Sequence, residues 1–211
     1  MFITLEGIEG SGKSSQIPIL SDILKKNNIE NIKTFEPGDS EIGTDIRSIL
    51  LGSSKNLDPL TELLLYSADR VEHIKNIIQP ALKDNITVIC DRFIDSTLVY
   101  QGFGRQVDIE HIKIINSIVS LNLKPDLTFL LDLDPKTGLN RVFDDLKKGV
   151  RSNDQMRFEN EKIEFHQIIR EGYLNLANSE PERIKIIDAK MDIDSVTEQI
   201  LHHLTKRIKI K

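Results

Sequence analysis

Short runs of apolar and β-branched residues alternate along the chain with longer segments in which apolar residues recur every three or four positions. The short runs predict five strands, FITLE (2–6), IKTF (32–35), ITVICD (86–91), LTFLLDLD (127–134) and RIKIID (183–188). Stretches such as 88–90 and 127–133 are nearly continuously apolar, which is typical of parallel strands covered on both faces.

The longer segments predict helices over 14–27, 41–51, 59–83, 108–121, 135–146, 160–178 and 192–208. Their apolar residues have helical spacing, as in Ile74, Ile77, Ile78 and Leu82. Strand–helix alternation predicts an α/β fold, a doubly wound five-stranded parallel sheet flanked by helices. We see no linker or internal repeat, so we expect a single domain over residues 1–211.

Composition narrows the function classes. The net charge of −5 argues against a broad polyanion-binding surface, so any nucleotide phosphate must be held by locally concentrated cations. Cys90 is the only cysteine, which excludes an intramolecular disulfide, and it lies in a predicted strand. The N-terminus has no signal-peptide pattern and no segment reaches the ~20 apolar residues of a membrane span, so we expect a soluble, cytoplasmic protein.

Residues 7–14, GIEGSGKS, match the phosphate-binding pattern G-x-x-x-x-G-K-[ST] between a predicted strand and a predicted helix. Such a loop turns backbone N–H groups inward and adds the positive end of the helix dipole. We expect Lys13 to lie between the β- and γ-phosphates of ATP and Ser14 to bind Mg²⁺. The predicted ATP-binding residues of this loop are Gly7, Ile8, Glu9, Gly10, Ser11, Gly12, Lys13, Ser14 and Ser15.

The segment DRFIDSTLVYQGFGR (91–105) follows a predicted strand and has many side chains of different chemistry, which suggests the wall of a pocket. Because the carboxyl ends of parallel strands face the ligand crevice, Asp91 is a candidate for the Mg²⁺ shell, although a strand-end Asp also caps turns. Arg92 next to it has an obvious partner in a phosphate.

The polar segment 144–161 is interpreted either as a solvated connection or as a lid whose cations close over phosphates. The chain has neither the N-K-x-D nor the D-x-x-G pattern of a GTPase, and it is small for an ATP-driven motor. A small-molecule kinase is therefore favoured.

Six segments, 6–15, 36–43, 65–70, 91–105, 156–161 and 186–189, occur in an order and spacing that resemble the thymidylate kinase family over nearly the whole chain. The resemblance implies a nucleoside monophosphate kinase that transfers the γ-phosphoryl group of MgATP to dTMP in dTTP biosynthesis. It also implies a homodimer. From the acidic net charge and the lack of a long apolar segment, we expect no nucleic acid polymer and no membrane as partners.

The resemblance also implies roles for individual residues. Arg92 would hold the acceptor phosphate, Tyr66 would stack on thymine, and Tyr100 would leave no room for a 2′-hydroxyl. The full dTMP-binding set that it implies is Glu9, Glu36, Pro37, Tyr66, Arg70, Arg92, Ser96, Thr97, Tyr100 and Gln101.

The small Ser11 in the phosphate loop resembles the group of the family that supplies cations from the lid. Arg151 and Arg157 are therefore expected to assist Lys13, Arg92 and Glu9 in catalysis, and they are the candidate transition-state cations of the lid. Arg141 is implied to pack against adenine.

The chain also departs from the family pattern R-E-P-G-G-T, since Phe35 replaces an arginine and Asp39 places an acid where we expect the acceptor phosphate. Two alternatives stay open. The acceptor could be dUMP or a deoxynucleoside, for which Glu9 or Glu36 would serve as a base. The chain could also be a non-catalytic nucleotide-binding module.

Overall fold

A five-stranded parallel sheet forms the centre of the molecule, as a computed structural model describing residues 1–52, 57–150 and 156–210 shows. The strands are β1 (Phe2–Glu6), β2 (Asn31–Phe35), β3 (Thr87–Asp91), β4 (Leu127–Asp132) and β5 (Ile184–Asp188), in the order β2-β3-β1-β4-β5. The predicted doubly wound parallel sheet is confirmed. β1, β3 and β4 are buried along almost their whole length, as their continuous apolar runs predicted.

Helices surround the sheet. They are α1 (Lys13–Lys26), α2 (Glu41–Leu51), α3 (Pro59–His73), α4 (Gln79–Lys83), α5 (Ile94–Thr97), α6 (Ile109–Val119), α7 (Pro135–Lys147), α8 (Ile163–Ser179) and α9 (Ile193–Leu204). The predicted helix over 59–83 is α3 and α4 joined by the π-helical turn Ile74–Ile78. We did not predict the helical path of α5 and the π-helical Leu98–Gly104, because their polar residues obscure the apolar spacing.

The register of the strands brings three functional segments to one edge of the sheet. Leu5 of β1 pairs with Asp91 of β3, and Asp91 pairs in turn with Phe35 of β2. The carboxyl ends of these strands are therefore level, and the phosphate loop, Glu36 and Arg92 leave the sheet side by side.

Apolar side chains close both faces of the sheet. Ile3, Leu5 and Phe129 belong to one buried cluster, whereas Phe2 and the free Cys90 belong to a second one. In the described part of the chain, no helix is long and apolar enough to cross a membrane.

Candidate active site

A cavity of about 1330 Å³ opens along the carboxyl edge of the sheet, between the phosphate loop and the segments that follow β2 and β3. The predicted site residues that line it are Glu9, Gly10, Ser11, Gly12, Lys13, Ser14, Ser15, Glu36, Pro37, Tyr66, Arg70, Asp91, Arg92, Ser96, Thr97, Tyr100, Gln101 and Arg141. Gly7 and Ile8 do not line the cavity; Ile8 is buried in the core below the loop. The structure thus brings the phosphate loop and both predicted acceptor arginines to one cavity.

The phosphate loop is held in a conformation that requires glycine. Gly10 has φ +71°, and a Cβ there would lie 2.1 Å from the carbonyl oxygen of Gly138 in α7. Lys13 is buried and its Nζ donates to the carbonyl oxygens of Gly7 (3.0 Å) and Ile8 (3.1 Å). Burial lowers the pKa of Lys13 to about 8.

Arg92 has a left-handed backbone conformation, with φ +68°, which a non-glycine residue adopts at a cost and which is common at functional sites. Its Nη2 donates to Glu9 Oε1 at 3.0 Å, and its Nη1 donates to Tyr173 Oη at 3.1 Å. The buried Glu6 stabilises this turn, because its Oε1 accepts the Phe93 N–H at 2.8 Å. The guanidinium is therefore directed into the cavity.

Glu9 receives several donors from distant parts of the chain. Its Oε1 accepts from Arg92 and from the Tyr100 hydroxyl at 2.5 Å, and its Oε2 lies 3.3 Å from Nδ1 of the buried His166. Burial acts to raise the pKa of Glu9, but the nearby His166 ring and the charges of Arg92 and Lys13 outweigh it and lower the pKa. Glu9 is therefore ionised and a weak proton acceptor, which disfavours its use as a general base.

Arg70 also lines the cavity and is almost fully buried. Its Nε donates to Glu36 Oε2 at 2.8 Å and its Nη1 donates to Asn116 Oδ1 at 3.1 Å. The second oxygen of Glu36 lies 2.9 Å from Nδ1 of His73. Glu36 therefore fixes Arg70 in the cavity wall and is itself held by two partners.

Thr97 and Gln101 line the cavity next to the Arg92 segment. The Thr97 hydroxyl oxygen is buried without a hydrogen-bond partner among the described residues, and such an atom is typically satisfied by water or a ligand. Gln101 Nε2 donates to Glu62 Oε1 at 2.7 Å, which fixes the orientation of the amide.

The oxygen atoms near the phosphate loop are suitable for Mg²⁺. Asp91 Oδ1 is buried without a hydrogen-bond partner in the described part of the chain, and Ser14 lines the same cavity. Residues 1–52, 57–150 and 156–210 contain no group of three or more His, Cys, Asp or Glu side chains that could hold a metal alone. A site with so few protein oxygens is consistent with Mg²⁺, because this ion is usually held by one or two carboxylates together with substrate phosphates.

Only part of the predicted lid can be placed. Residues 144–147 continue α7, and Arg151 lies outside the described residues. Arg157 is described but does not line the cavity, since its Nη1 donates to the carbonyl oxygen of Leu50 at 3.0 Å and its Nη2 pairs with Glu62. Its predicted role as a transition-state cation stays a prediction.

Arg141 lines the cavity next to the phosphate loop, where its Nη1 donates to the carbonyl oxygens of Gly10 (3.4 Å) and Ala189 (3.2 Å). It therefore connects α7 to the phosphate loop and to the turn after β5.

Three residues near the site were missed by the sequence reading, namely Arg47, His166 and Tyr173. Arg47 lines the cavity, and its Nη1 donates to the carbonyl oxygen of Pro37 at 2.5 Å. All three lie in ordinary helical patterns outside the phosphate-loop motif, so no local signal distinguished them. Asp39, which we expected beside the acceptor phosphate, instead accepts a hydrogen bond from the Thr34 hydroxyl and does not line the cavity.

Comparisons with known proteins agree with this geometry. The family model described as thymidylate kinase matches residues 5–200. The thymidylate kinase of Desulforapulum autotrophicum is 48% identical over 211 residues, covering 100% of this chain and 93% of that protein. That of Desulfosudis oleivorans is 47% identical over 190 residues, covering 90% and 89%.

Among solved structures, the crystal structure of thymidylate kinase from Ehrlichia chaffeensis superimposes with a TM-score of 0.74 at 34% identity. The match covers 97% of this chain and 98% of that one. These matches extend over nearly the whole chain. The chain belongs to the thymidylate kinase family.

Proposed function

We propose that this protein is an ATP-dependent dTMP kinase, which transfers the γ-phosphoryl group of MgATP to dTMP and yields dTDP and ADP for dTTP biosynthesis. The observation that carries the proposal is that Arg70 and Arg92 line the same cavity as residues 9–15 of the phosphate loop. One cavity can therefore hold a donor triphosphate and an acceptor monophosphate together. Family membership supplies the identity of the acceptor.

The chemistry needs positioning more than proton transfer. The phosphate monoester of dTMP has a second pKa near ~6, so it is largely dianionic at neutral pH and is already a nucleophile. The obstacle is the repulsion between two polyanions that must come into line. Preorganised cations remove this obstacle, and an ionised Glu9 is compatible with a mechanism that has no general base.

On the donor side, we assign the phosphate loop and Lys13 to the ATP phosphates. Ser14 and Asp91 would hold Mg²⁺ directly or through its water, and the ion would neutralise charge on the phosphates. Arg141 would lie against adenine. The unpartnered Asp91 oxygen in the cavity supports this assignment.

On the acceptor side, we assign Arg92 and Arg70 to the dTMP phosphate, with Glu36 and Pro37 shaping the wall between them. Glu9 would contact the 3′-hydroxyl. The base would lie among Tyr66, Ser96, Thr97, Tyr100 and Gln101, all of which line the cavity, and the unpartnered Thr97 hydroxyl supports this placement. Arg151 and Arg157 would add charge at the transferring group, and for Arg157 this requires release from Glu62.

We also propose a homodimer. Exposed apolar side chains recur at helical spacing on three adjacent helices, as Ile42 and Ile49 on α2, Leu60 and Leu64 on α3, and Ile114 and Ile118 on α6. α3 packs against both other helices. Exposed apolar side chains grouped on adjacent helices are typical of a protein–protein interface.

A coupled ADP-release assay with MgATP tests the proposed function. We expect turnover with dTMP, weaker turnover with dUMP and dCMP, and very little with the ribose analogue of dTMP, since Tyr100 would exclude a 2′-hydroxyl. Equal turnover with deoxynucleosides would favour a nucleoside kinase. Tight MgATP binding with no ADP production from any monophosphate would overturn the assignment.

A further inference from the structure

A chain of hydrogen bonds connects Asp39 to Arg70 behind the cavity wall. The Thr34 hydroxyl donates to Asp39 Oδ2 at 2.5 Å, and the same hydroxyl oxygen lies 2.5 Å from Nε2 of His73. His73 Nδ1 lies 2.9 Å from Glu36 Oε1, and Arg70 Nε donates to Glu36 Oε2 at 2.8 Å. The end of β2, the turn that follows it and α3 are joined in this way.

The two ends of this chain of hydrogen bonds differ in how deeply they are buried. Thr34, His73, Glu36 and Arg70 are all at least 95% buried, whereas Asp39 is half-buried at the turn after β2. Glu36 and Arg70 line the cavity and Asp39 does not. Asp39 can therefore influence the cavity only through its neighbours.

The direction of each hydrogen bond follows from the chemistry of the groups. A hydroxyl has one proton, and Thr34 donates it to the carboxylate of Asp39, so the Thr34 oxygen must accept from Nε2 of His73. Glu36 is paired with an always protonated arginine and accepts only, so Nδ1 of His73 donates to it. Both ring nitrogens of His73 therefore face hydrogen-bond acceptors.

We propose that Asp39 is a positioning residue for the acceptor phosphate site: through Thr34 it makes His73 a double donor, and His73 then shares the charge of Glu36 with Arg70. Within this chain of hydrogen bonds, the positive charges of His73 and Arg70 balance the negative charges of Asp39 and Glu36. Because His73 offsets part of the negative charge of Glu36, the positive potential that Arg70 presents to the acceptor is larger. The proposal rests on the proposed function in assigning Arg70 to the acceptor phosphate.

Other charged groups face His73 as well. Asp69 and Arg70 lie on its own helix, α3, and Glu36 and Asp39 follow β2. Asp69 Oδ1 accepts the Gly38 N–H at 3.0 Å, so it holds the turn that contains Asp39. A substitution of Asp39 must therefore be compared with Thr34→Val, which breaks the same chain of hydrogen bonds and leaves Asp39 in its turn.

Nitrogen NMR of ligand-free protein with labelled histidine tests this chain of hydrogen bonds directly, because it reports whether each ring nitrogen carries a proton. The protein has five histidines, and His73→Gln identifies the His73 signals by their loss. We expect both ring nitrogens of His73 to be protonated in the wild type and in Thr34→Ser, which keeps the hydroxyl. In Asp39→Ala the hydroxyl is released to donate to Nε2, and in Thr34→Val the Nε2 acceptor is removed, so we expect Nε2 to lose its proton in both.

Steady-state kinetics test the functional consequence. In Asp39→Ala and Thr34→Val we expect KM for the acceptor to rise about three- to tenfold, the effect of one hydrogen bond. KM for MgATP and kcat should stay within about twofold, since the donor site is untouched. Thr34→Ser and Asp22→Ala, which removes an exposed carboxylate from α1, should behave as the wild type. The double variant Asp39→Ala/Thr34→Val should be no worse than either single variant, because both break one chain.

An unprotonated Nε2 in the wild type, an unchanged acceptor KM in Asp39→Ala, or additive effects in the double variant would each overturn the proposal. KM is measured for whichever monophosphate the wild type phosphorylates. If that acceptor is not dTMP, the proposed function fails while the NMR and KM patterns still decide the role of Asp39.

Discussion

Arg92 and Glu9 form an ion pair across the floor of the cavity, with Arg92 Nη2 3.0 Å from Glu9 Oε1. The pair joins the phosphate loop to the segment that follows β3, which are the donor and acceptor sides of the proposed reaction. Tyr100 and His166 hold Glu9 in place from two further directions. Arg92 is therefore preorganised before any substrate binds, and preorganised charge stabilises a transition state most effectively.

Replacing Arg92 by alanine should lower kcat by roughly 10³-fold or more, since a catalytic arginine in comparable phosphoryl transfer contributes roughly 10³–10⁵. Arg207→Ala, which removes a half-exposed arginine near the C-terminus, is the control and should leave turnover unchanged. Thermal unfolding of both variants shows whether the fold is intact. A folded Arg92→Ala enzyme with kcat within about threefold of wild type would contradict the assignment.

The activity should fall at alkaline pH because of Lys13. Burial lowers the pKa of Lys13 to about 8, and the ammonium form is the one that binds phosphate. In the free enzyme the cation is present below this pH and is lost as pH rises through about 8, so kcat/KM for ATP falls there. Bound phosphates favour the ammonium form, so kcat at saturating ATP should fall only at higher pH.

Lys13→Arg serves as the matched variant for these pH profiles. Its guanidinium stays charged throughout this range, so the alkaline fall in kcat/KM should disappear whatever the absolute rate. An identical alkaline fall in Lys13→Arg would assign the titration to another group.

Replacing Asp91 by asparagine should raise the Mg²⁺ concentration needed for half-maximal activity by about 10- to 100-fold, the usual cost of losing a group that orients a metal or its water. The change keeps the size of the side chain and removes the charge. Asp84→Asn, at the exposed end of α4, is the control. An unchanged Mg²⁺ dependence in Asp91→Asn would exclude Asp91 from the metal site.

Arg157 and Glu62 can be separated by mutation. If Arg157 leaves Glu62 to stabilise the transferring group, Arg157→Ala should lower kcat by roughly 10²-fold or more, with little change in KM for dTMP. Glu62→Gln should raise that KM, because Glu62 orients Gln101. It should leave kcat near the wild-type value, because it weakens only the contacts of Arg157 and Arg105 with Glu62 in the ligand-free protein. Equal, modest effects of both variants on kcat would mean that Arg157 has a structural role.

An arginine at Ile118 should disrupt the proposed dimer. Ile118 is 66% exposed on α6, and a charge there could not be buried against a second copy. Ile168→Arg, at a 41% exposed position on α8, is the control. Light scattering after size-exclusion chromatography should give a monomer for Ile118→Arg and a dimer for the wild type and Ile168→Arg. A wild-type monomer at all concentrations tested would refute the homodimer.

The sequence by itself determined the five strands, the phosphate loop and the family. Apolar runs such as Thr87–Asp91 and the spacing of Gly7, Gly12 and Lys13 are local patterns, and local patterns are sufficient to predict elements and motifs. The parallel register then required Asp91 and Arg92 to emerge beside the loop. Residues 94–104 were not predicted as helical, because their polar side chains face a cavity rather than solvent.

Only the tertiary structure decided which charges meet. Arg157 and Glu62 are 95 positions apart, and their pairing depends on how the end of the predicted lid packs on α3. From the sequence we expected Asp39 beside the acceptor phosphate. In the structure its hydrogen bond with Thr34, which also contacts His73, holds it behind the cavity wall. Side-chain partners of this kind are chosen by burial and geometry across the whole fold, which no local pattern of residues records.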